Sequence, residues 1–369
     1  MATLPNDLQI VVFSGGTLQF FDHPPEQVPA DGFVWIFLSR EVFDAMLPTV
    51  QATAQKLGGS RLIDLHCKDI RNQSHPSDYD YTSIYDLVVF QRLATEDEAR
   101  RETATSPAAS TLGQVSTKGV AFAIFDRLLI SVHPEGCFTA RTFLQRYLAD
   151  AVQSEGLSTA SARSRLPDSP ADLMLRMANL MVDSSIELRR KLGDQIEQWQ
   201  TDLLKPGSPF SNWIALMGVR NELHALEDLC DGQQSAMHEW LEALREQPLG
   251  AQEQGERDAL VARLRDVIEH IDRVVRHARR MEQSAETVVQ IHFNLQGHRT
   301  NDVMRTLTAL TAIFLPLNLL AGIFGMNFIA IPLARRPGGF WIAVGTMVVI
   351  AAVLSVVFWR KHYLARSTR

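Results

Sequence analysis

Cysteine is scarce in this sequence, and its few copies follow no pairing pattern. Only three occur in 369 residues, and Cys67, Cys137 and Cys230 lie far apart. Their odd number argues against a disulfide framework, and the absence of a CxxC pair argues against a structural zinc site. We therefore expect cysteines that stay reduced. The N-terminus also lacks the basic start and apolar run of a signal peptide.

Signatures of catalysis and of nucleic-acid binding are absent as well. The sequence has no Walker A loop, HExxH, GxSxG or paired-carboxylate motif, which argues against an enzyme. Its formal net charge of -6, without a basic patch interleaved with aromatic residues, argues against a nucleic-acid partner. The glycines of Ser14-Gly15-Gly16 are not followed by the Lys-Ser/Thr of a phosphate loop, so they predict a hairpin turn.

Hydrophobicity is instead concentrated in two uncharged stretches near the C-terminal end. Thr306 to Phe324 carries no charge, and at about 1.5 Å per residue it roughly matches a hydrocarbon core ~30 Å thick. Phe340 to Trp359 is a second run of spanning length, with Trp341 and Trp359 as interface anchors. Basic residues flank the pair at Arg299, Arg305, Arg360, Lys361, Arg366 and Arg369. This pattern predicts two transmembrane helices with both termini in the cytoplasm.

The first span carries a stripe of polar and small residues. Stepping alternately by three and four residues reaches positions that share one side of a helix. We call this set the stripe: Asn301, Met304, Thr308, Thr311, Leu315, Asn318, Gly322 and Gly325. A membrane helix with such a stripe is either a packing helix or the lining of a pore.

The same steps continue towards the N-terminus through polar residues and glycine. These are Arg280, Gln283, Thr287, Gln290, Asn294 and Gly297. A dry coiled-coil seam would place apolar residues there, so we favour a water-filled conduit over a structural stalk. The pattern predicts one helix from about Gly255 to Phe324. Because one chain offers too few membrane helices to close a pore, a conduit requires an oligomer around an axis.

The pattern of the remaining chain predicts a mixed α/β domain followed by long helices. Predicted strands are Leu8–Phe13, Thr17–Phe21, Gly32–Leu38, Ile84–Phe90, Val120–Phe125 and Leu128–Val132. Helices are predicted from Arg40 to the Gly58-Gly59 pair, over Thr139–Val152, from Pro170 to the Lys205-Pro206-Gly207 break, and over about Ser211 to Arg245. Thr95 to Lys118 lacks periodicity and predicts a mobile loop. Met174, Met177 and Met181 have helical spacing and predict core packing rather than a soft-metal site.

These signals divide the chain into six parts. They are a cytoplasmic α/β domain (1–153), a cytoplasmic helical section (154–252), a stalk helix continuing into the pore-lining span (253–325), an outer loop (326–339), a second span (340–359) and a basic cytoplasmic tail (360–369).

Gly325-Met326-Asn327 stands at the outer end of the first span. Glycines at 322 and 325 let backbones approach closely around an axis. A ring of Asn carbonyls there accepts hydrogen bonds from the water shell of a hydrated cation, and Mg²⁺ sheds its water reluctantly. The alternative role is a helix C-cap, which Gly and Asn both suit.

These stretches resemble the CorA family of divalent-cation transporters, whose hallmark is the GMN tripeptide. The resemblance is carried by Arg265–His270, Arg299–Met304, Thr306–Phe328 and Trp359–Leu364. It implies an α+β membrane protein that assembles with itself as a homopentameric funnel in the lipid of a bacterial inner membrane. Each subunit contributes a cytoplasmic α/β sandwich domain, a long helical stalk and two transmembrane helices. Divalent cations are then the substrate and a possible regulator, with no other cofactor.

The resemblance also assigns roles to individual residues. It implies a selectivity entrance at Gly325, Met326 and Asn327. Pore or gate positions are implied at Asn301, Met304, Leu307, Thr311, Leu315 and Asn318, with Thr308 and Gly322 on the same stripe and a funnel face at Gln283, Thr287, Gln290 and Asn294. Apolar rings at Met304, Leu307 and Leu315 suit a gate that closes by dewetting. Asp266 aligns with an acidic stalk residue that binds Mg²⁺ between subunits, and its alternative is a solvated carboxylate.

The identity of the ion stays open between Mg²⁺, Co²⁺, Ni²⁺ and Zn²⁺. The outer loop from Phe328 to Gly339 has no carboxylate and carries Arg335-Arg336, and its Pro-Gly-Gly-Phe-Trp end resembles ZntB-type relatives. His270 and His277 share one helical face and raise a zinc hypothesis, although ordinary surface histidines are the preferred interpretation.

Three functions remain in competition. Divalent-cation transport leads. Zinc–proton symport is disfavoured because the stripe has no titratable residue between Asn301 and Gly325. A membrane-tethered metal sensor or scaffold would not need polar residues inside the span.

Overall fold

The computed structural model describes residues 8–95, 98–99, 116–153, 166–204, 213–246, 254–326 and 338–361. The chain forms two compact units. The first combines Met1–Glu197 with Asn212–Ala285, and the second combines Gln198–Ser211 with Glu286–Arg369.

The first unit is built on a seven-stranded mixed sheet. Its strands are β1 (Leu8–Ser14), β2 (Thr17–Phe21), β3 (Gly32–Ser39), β4 (Asp78–Tyr81), β5 (Tyr85–Leu93), β6 (Thr117–Phe125) and β7 (Leu128–His133). Their spatial order is β2-β1-β3-β7-β6-β5-β4. Every neighbouring pair is antiparallel except β3 and β7. The chain between those two strands makes the long crossover that a parallel pair requires.

Seven α-helices and a short 3-10 helix (Glu135–Cys137) complete the described part of the chain. The α-helices are α1 (Arg40–Thr53), continued by a π-helical turn (Ala54–Gly58), α2 (Asp64–Arg71), α3 (Phe138–Gln153), α4 (Pro170–Leu204), α5 (Trp213–Glu246), α6 (Gln254–Phe324) and α7 (Gly339–Arg360). The predicted long helices are confirmed, with bounds that differ by a few residues.

The β1–β2 hairpin confirms the turn predicted at the glycine pair. Gly15 and Gly16 have φ of 58° and 79°. A two-residue type I′ turn needs positive φ at both central positions, and glycine adopts it without steric cost.

Two short elements were not predicted, and one boundary was wrong. Helix α2 spans eight residues and β4 spans four, with the sequence Asp-Tyr-Asp-Tyr. Neither is long enough to show a hydrophobic period. The loop predicted from Thr95 to Lys118 ends earlier, because β6 begins at Thr117. Residues 96–97 and 100–115 of that loop lie outside the described residues.

The sheet is covered on both faces, which explains its continuous apolar strands. Val34, Ile36 and Leu38 of β3 belong to the core cluster formed with α1 and α2. The alternate residue Trp35 is fully buried on the opposite face, where its ring meets Phe143 of α3 edge-on at 6.0 Å. Its indole N–H donates to Ser131 Oγ at 2.8 Å, so the buried polar edge is satisfied.

Helix α5 is attached to β4 and β5 by polar contacts as well as packing. Trp240 Nε1 donates to Asp86 Oδ2 at 3.2 Å, and Tyr79 Oη donates to Asp86 Oδ1 at 3.2 Å. Gln233 Nε2 donates to the carbonyl oxygen of Gln91 at 2.6 Å. Burial raises the pKa of Asp86, although the hydrogen bonds from Tyr79 and Trp240 oppose that shift.

The raised pKa of Asp86 predicts a pH-dependent contribution to stability. A carboxyl group whose pKa is higher in the folded than in the unfolded state stabilises fully below the unfolded pKa, near 3.9. That contribution is lost as pH rises through the folded pKa. We therefore expect the Tm of the wild type to fall relative to Asp86→Asn as pH rises from about 4 to 7. Thermal unfolding of both proteins across this range tests it, and parallel curves would contradict it.

Helices α4 and α6 are joined within the first unit by a buried carboxylate. Asp172 is 5 % exposed at its side chain; its Oδ1 lies 2.6 Å from Arg263 Nη1, and its Oδ2 lies 3.0 Å from Arg176 Nη2. The Asp172 N–H also donates to Ser169 Oγ at 3.2 Å, as at a helix N-terminus. The sequence predicted Asp172 in the first turn of the helix, but not its partner on α6.

We expect Asp172→Asn to destabilise the protein by about 3 kcal/mol, because it removes the charge that compensates two arginines. The measurement is the Tm of the purified full chain, which should fall by several degrees. Asp228→Asn, at an exposed position on α5, is the matched control and should change stability by less than about 0.5 kcal/mol. Equal Tm values for the two variants would contradict the ion-pair account.

Two helices, α6 and α7, are long and apolar enough to cross a membrane. Their apolar stretches lie in the second unit, and almost all residues of those stretches are uncovered in the single chain.

The predicted core role of the methionine set is confirmed in the first unit, because Met174, Met177 and Met181 are buried on α4.

Candidate functional site

The stripe on α6 is exposed along its whole length. All eight of its positions from Asn301 to Gly325 are exposed, including Met304 at 60 % and Leu315 at 68 %. Leu307, one step off the stripe, is exposed to 58 %. The structure therefore brings the predicted pore and gate residues onto one open side of the helix.

A different side of the same helix is covered. Ala309 is fully buried, and the partly covered residues around it are Ala312, Ile313, Pro316, Leu317 and Leu320. At 3.6 residues per turn these positions lie opposite the stripe. Partly covered residues recur on α7 with the same spacing, at Val344, Met347, Ala351, Leu354 and Phe358. Apolar positions thus supply the covered side of α6, whereas the stripe stays exposed together with apolar neighbours such as Phe314 and Leu319.

The stripe threonines are arranged as hydrogen-bond acceptors. Thr308 Oγ1 donates to the Met304 carbonyl oxygen at 2.7 Å, and Thr311 Oγ1 donates to the Leu307 carbonyl oxygen at 2.9 Å. Because each hydroxyl hydrogen is used inside the helix, its oxygen lone pairs remain for other donors. Water molecules bound to a cation are such donors, so this chemistry suits a hydrated cation.

The helix ends immediately before the GMN tripeptide. Gly325 N donates to the Ala321 carbonyl oxygen at 2.9 Å, and Met326 N donates to the Ile323 carbonyl oxygen at 3.3 Å. Gly325 is not among the glycines with positive φ, so Gly325 itself is not a left-handed C-cap residue. Asn327 lies outside the described residues.

The part of α6 before the span also presents its predicted polar face. Gln283, Thr287, Gln290 and Asn294 are all exposed. Asp266 is exposed too, and within the described part of the chain no basic side chain lies within ion-pair distance of it. This arrangement leaves both interpretations of Asp266 open, as a metal ligand and as a solvated carboxylate.

The two histidines of the zinc hypothesis have separate surroundings. His270 Nε2 lies 3.3 Å from Asp183 Oδ1, whereas His277 Nδ1 lies 3.1 Å from a guanidinium nitrogen of Arg280. Burial and the positive charges of Arg189 and Arg280 lower the pKa of His277. Among the described residues, neither histidine belongs to a group of three potential metal ligands. The structure favours ordinary interhelical and surface roles for them.

Sequence reasoning missed one set of potential ligands, His224, Glu227 and Glu282. The spacing of the first two, three residues apart on a helix, was the only available signal. Glu282 comes from another helix, so its proximity depends on packing that a sequence pattern does not give.

Comparison with known proteins identifies the family. The sequence matches the family described as CorA-like Mg²⁺ transporter protein over residues 43–361. This match covers most of the chain, which therefore belongs to the CorA-like family.

Individual relatives match over shorter stretches. The cobalt/magnesium transport protein CorA of Thermotoga maritima is 32 % identical over 100 residues, which are 27 % of this chain and 28 % of that protein. The cobalt/magnesium transport protein CorA of Methanocaldococcus jannaschii is 36 % identical over 78 residues, or 21 % of this chain and 25 % of that protein. The alignments thus span little more than a quarter of these relatives.

The fold matches over a much greater length than the sequence does. The complete structure of the CorA magnesium transporter from Methanocaldococcus jannaschii aligns with 98 % of this chain and 99 % of that chain. The TM-score is 0.71 at 17 % sequence identity. The two proteins share a fold, including the α/β unit, the long helices and two helices of membrane-spanning character.

Proposed function

We propose that this protein carries divalent metal cations across a membrane through an oligomeric pore lined by the stripe on α6. One observation carries the proposal: the side of α6 opposite the stripe is the covered side. A helix that packs through its apolar face leaves its polar face available, and hydrocarbon is a poor environment for that face. Copies arranged with their stripes towards a common axis would surround the polar positions with one another and with water.

In this proposal the oligomer is a homopentamer, as the resemblance implies. Gly325, Met326 and Asn327 form the entrance, and the apolar stripe positions Met304 and Leu315, with Leu307, form the gate. The basic flanks of the two spans favour an inner membrane location in a bacterium with both termini in the cytoplasm. The relatives named above are cobalt/magnesium transport proteins, which supports Mg²⁺ and Co²⁺ as substrates.

The chemistry of the stripe favours transport of a hydrated ion. Between Asn301 and Gly325 it offers amide, hydroxyl and backbone groups but no carboxylate. Removing the inner water of Mg²⁺ would require oxygen ligands with charge. Neutral acceptors instead hold the ion through its water, and they provide no group that would exchange a proton during the cycle. We therefore propose flux down the ion's gradient, without proton coupling and without an enzymatic reaction.

Ion flux into liposomes containing the purified protein tests this function. We expect uptake of Mg²⁺, Co²⁺ or Ni²⁺ that does not change with a pH gradient, and loss of that uptake in Asn327→Ala. Zinc uptake accelerated by the gradient would instead establish symport. Absence of uptake of every ion, from a correctly assembled oligomer with and without internal metal, would contradict transport and support a sensor.

Substitution of two threonines distinguishes a role in lining the pore from a role in stabilising the helix. Thr308 lies on the stripe, whereas Thr306 lies off it, and each hydroxyl donates to the carbonyl oxygen four residues earlier, at 2.7 and 2.9 Å. We expect Thr308→Val to reduce metal uptake several-fold, since it removes a ring of acceptors whose net contribution we take as about 1 kcal/mol. Thr306→Val loses the same kind of intrahelical bond and should transport normally. Equal loss in both variants would contradict the assignment of the stripe to the pore.

A further inference from the structure

We propose that helices α5 and α6 of the first unit form a binding site for a transition-metal cation such as Zn²⁺, Co²⁺ or Ni²⁺. The ligands are His224 and Glu227 from α5 and Glu282 from α6. One ligand atom from each of these side chains lies within 4.8 Å of the others. The site is separate from the stripe and from Asp266, and it does not depend on the proposed transport.

The positions of the ligands follow from helix geometry. His224 and Glu227 are three residues apart, so they lie on one face of α5 and reach in the same direction. Across the helix pair, His224 Nε2 lies 3.1 Å from Glu282 Oε1. Zinc binds His nitrogen and carboxylate oxygen at about 2.0–2.2 Å. Because the three ligand atoms already lie within 4.8 Å of one another, we expect rotation of the side chains to bring them around one ion.

Core packing holds both helices next to the site. On α5, Leu223 and Leu226 are buried beside the ligand positions, and on α6 Ala278 and Ala285 are buried on either side of Glu282. The backbone atoms that carry the three ligands are therefore fixed by the core of the first unit. A fixed backbone reduces the conformational entropy that the ligands lose when they bind a metal.

The donor set determines which metals fit. One imidazole and two carboxylates are a three-ligand set of the kind that binds zinc with an open fourth position. The His224 side chain is 49 % exposed, so water has access to that position. Imidazole suits Zn²⁺, Co²⁺ and Ni²⁺, whereas Mg²⁺ prefers oxygen ligands in octahedral geometry. The site should therefore discriminate against Mg²⁺.

Two arginines adjoin the same carboxylates. Arg279 Nε donates to Glu227 Oε1 at 2.5 Å, and Arg220 Nε lies 4.0 Å from Glu282 Oε1. A carboxylate has two oxygens, so the contact with Arg279 leaves Glu227 Oε2 for the metal and orients the group, as outer hydrogen bonds do in metal sites. The positive charges of the two arginines also repel the metal cation. We therefore expect weaker binding than at a structural zinc site.

Zinc titration of the metal-free full-length protein in detergent tests the site, with a fluorescent chelator as competitor. We expect His224→Ala and Glu282→Gln to raise the Kd for Zn²⁺ at least about tenfold, because each removes a direct ligand. His238→Ala is the matched control, since His238 is exposed on the same helix and outside the cluster. It should leave the Kd unchanged. Excess Mg²⁺ should not displace the bound zinc.

A second measurement uses the wild type alone and does not rely on the folding of variants. Co²⁺ bound to four or five ligands absorbs visible light more strongly than hexahydrated Co²⁺, and added Zn²⁺ should abolish this absorption. Unchanged zinc affinity in both ligand variants, or displacement of zinc by equimolar Mg²⁺, would overturn the proposal. Because no gradient or flux is involved, this outcome is independent of the transport experiment.

Discussion

Every backbone N–H and C=O group inside a lipid bilayer has to be satisfied within the protein, and this constraint determines how α6 is used. A continuous helix meets it for the backbone, but it does nothing for polar side chains. Thr308 and Thr311 satisfy part of their own need by donating to carbonyl oxygens of the preceding turn. Asn318 has no comparable route to the helix backbone among the described hydrogen bonds, so the polar side of α6 needs water or other copies. The proposed assembly follows from that unmet need.

Helix α6 contributes to both compact units and is stabilised differently in each. In the first unit Leu264, Val267 and Ile271 are buried, and Arg263 pairs with the buried Asp172. From Glu286 onwards most of its side chains are exposed. Burial of apolar area therefore stabilises the N-terminal part within one chain, whereas the C-terminal part requires lipid or neighbouring copies for the same effect.

Much of the fold could be predicted because its elements are long and strongly patterned. The strand Gly32–Ser39 can be recognised from its continuous apolar residues. The helix Pro170–Leu204 can be recognised from the proline at its start. Helix α2 and strand β4 could not be found in this way, since each is too short to show a period. Their identity depends on tertiary contacts, such as the stacking of Tyr79 of β4 on Trp240 of α5. The order of strands in the sheet is likewise a product of packing rather than of local sequence.

The candidate sites differ in the same way: residues that share one helix can be predicted from spacing, whereas contacts between two helices cannot. The stripe is a property of one helix, so its exposed positions, from Asn301 to Gly325, could be read from spacing alone. The interhelical pairs could not be predicted in this way, because Arg263, the partner of Asp172, is 263 − 172 = 91 residues further along the chain. The same holds for His224 and Glu282, which meet only after two helices pack. Spacing within a helix predicts which residues share a face, but charge pairs and ligand sets between helices depend on the register of packing. For that reason, the proposed metal site, whose ligands come from two helices, is the feature that sequence patterns predict least well.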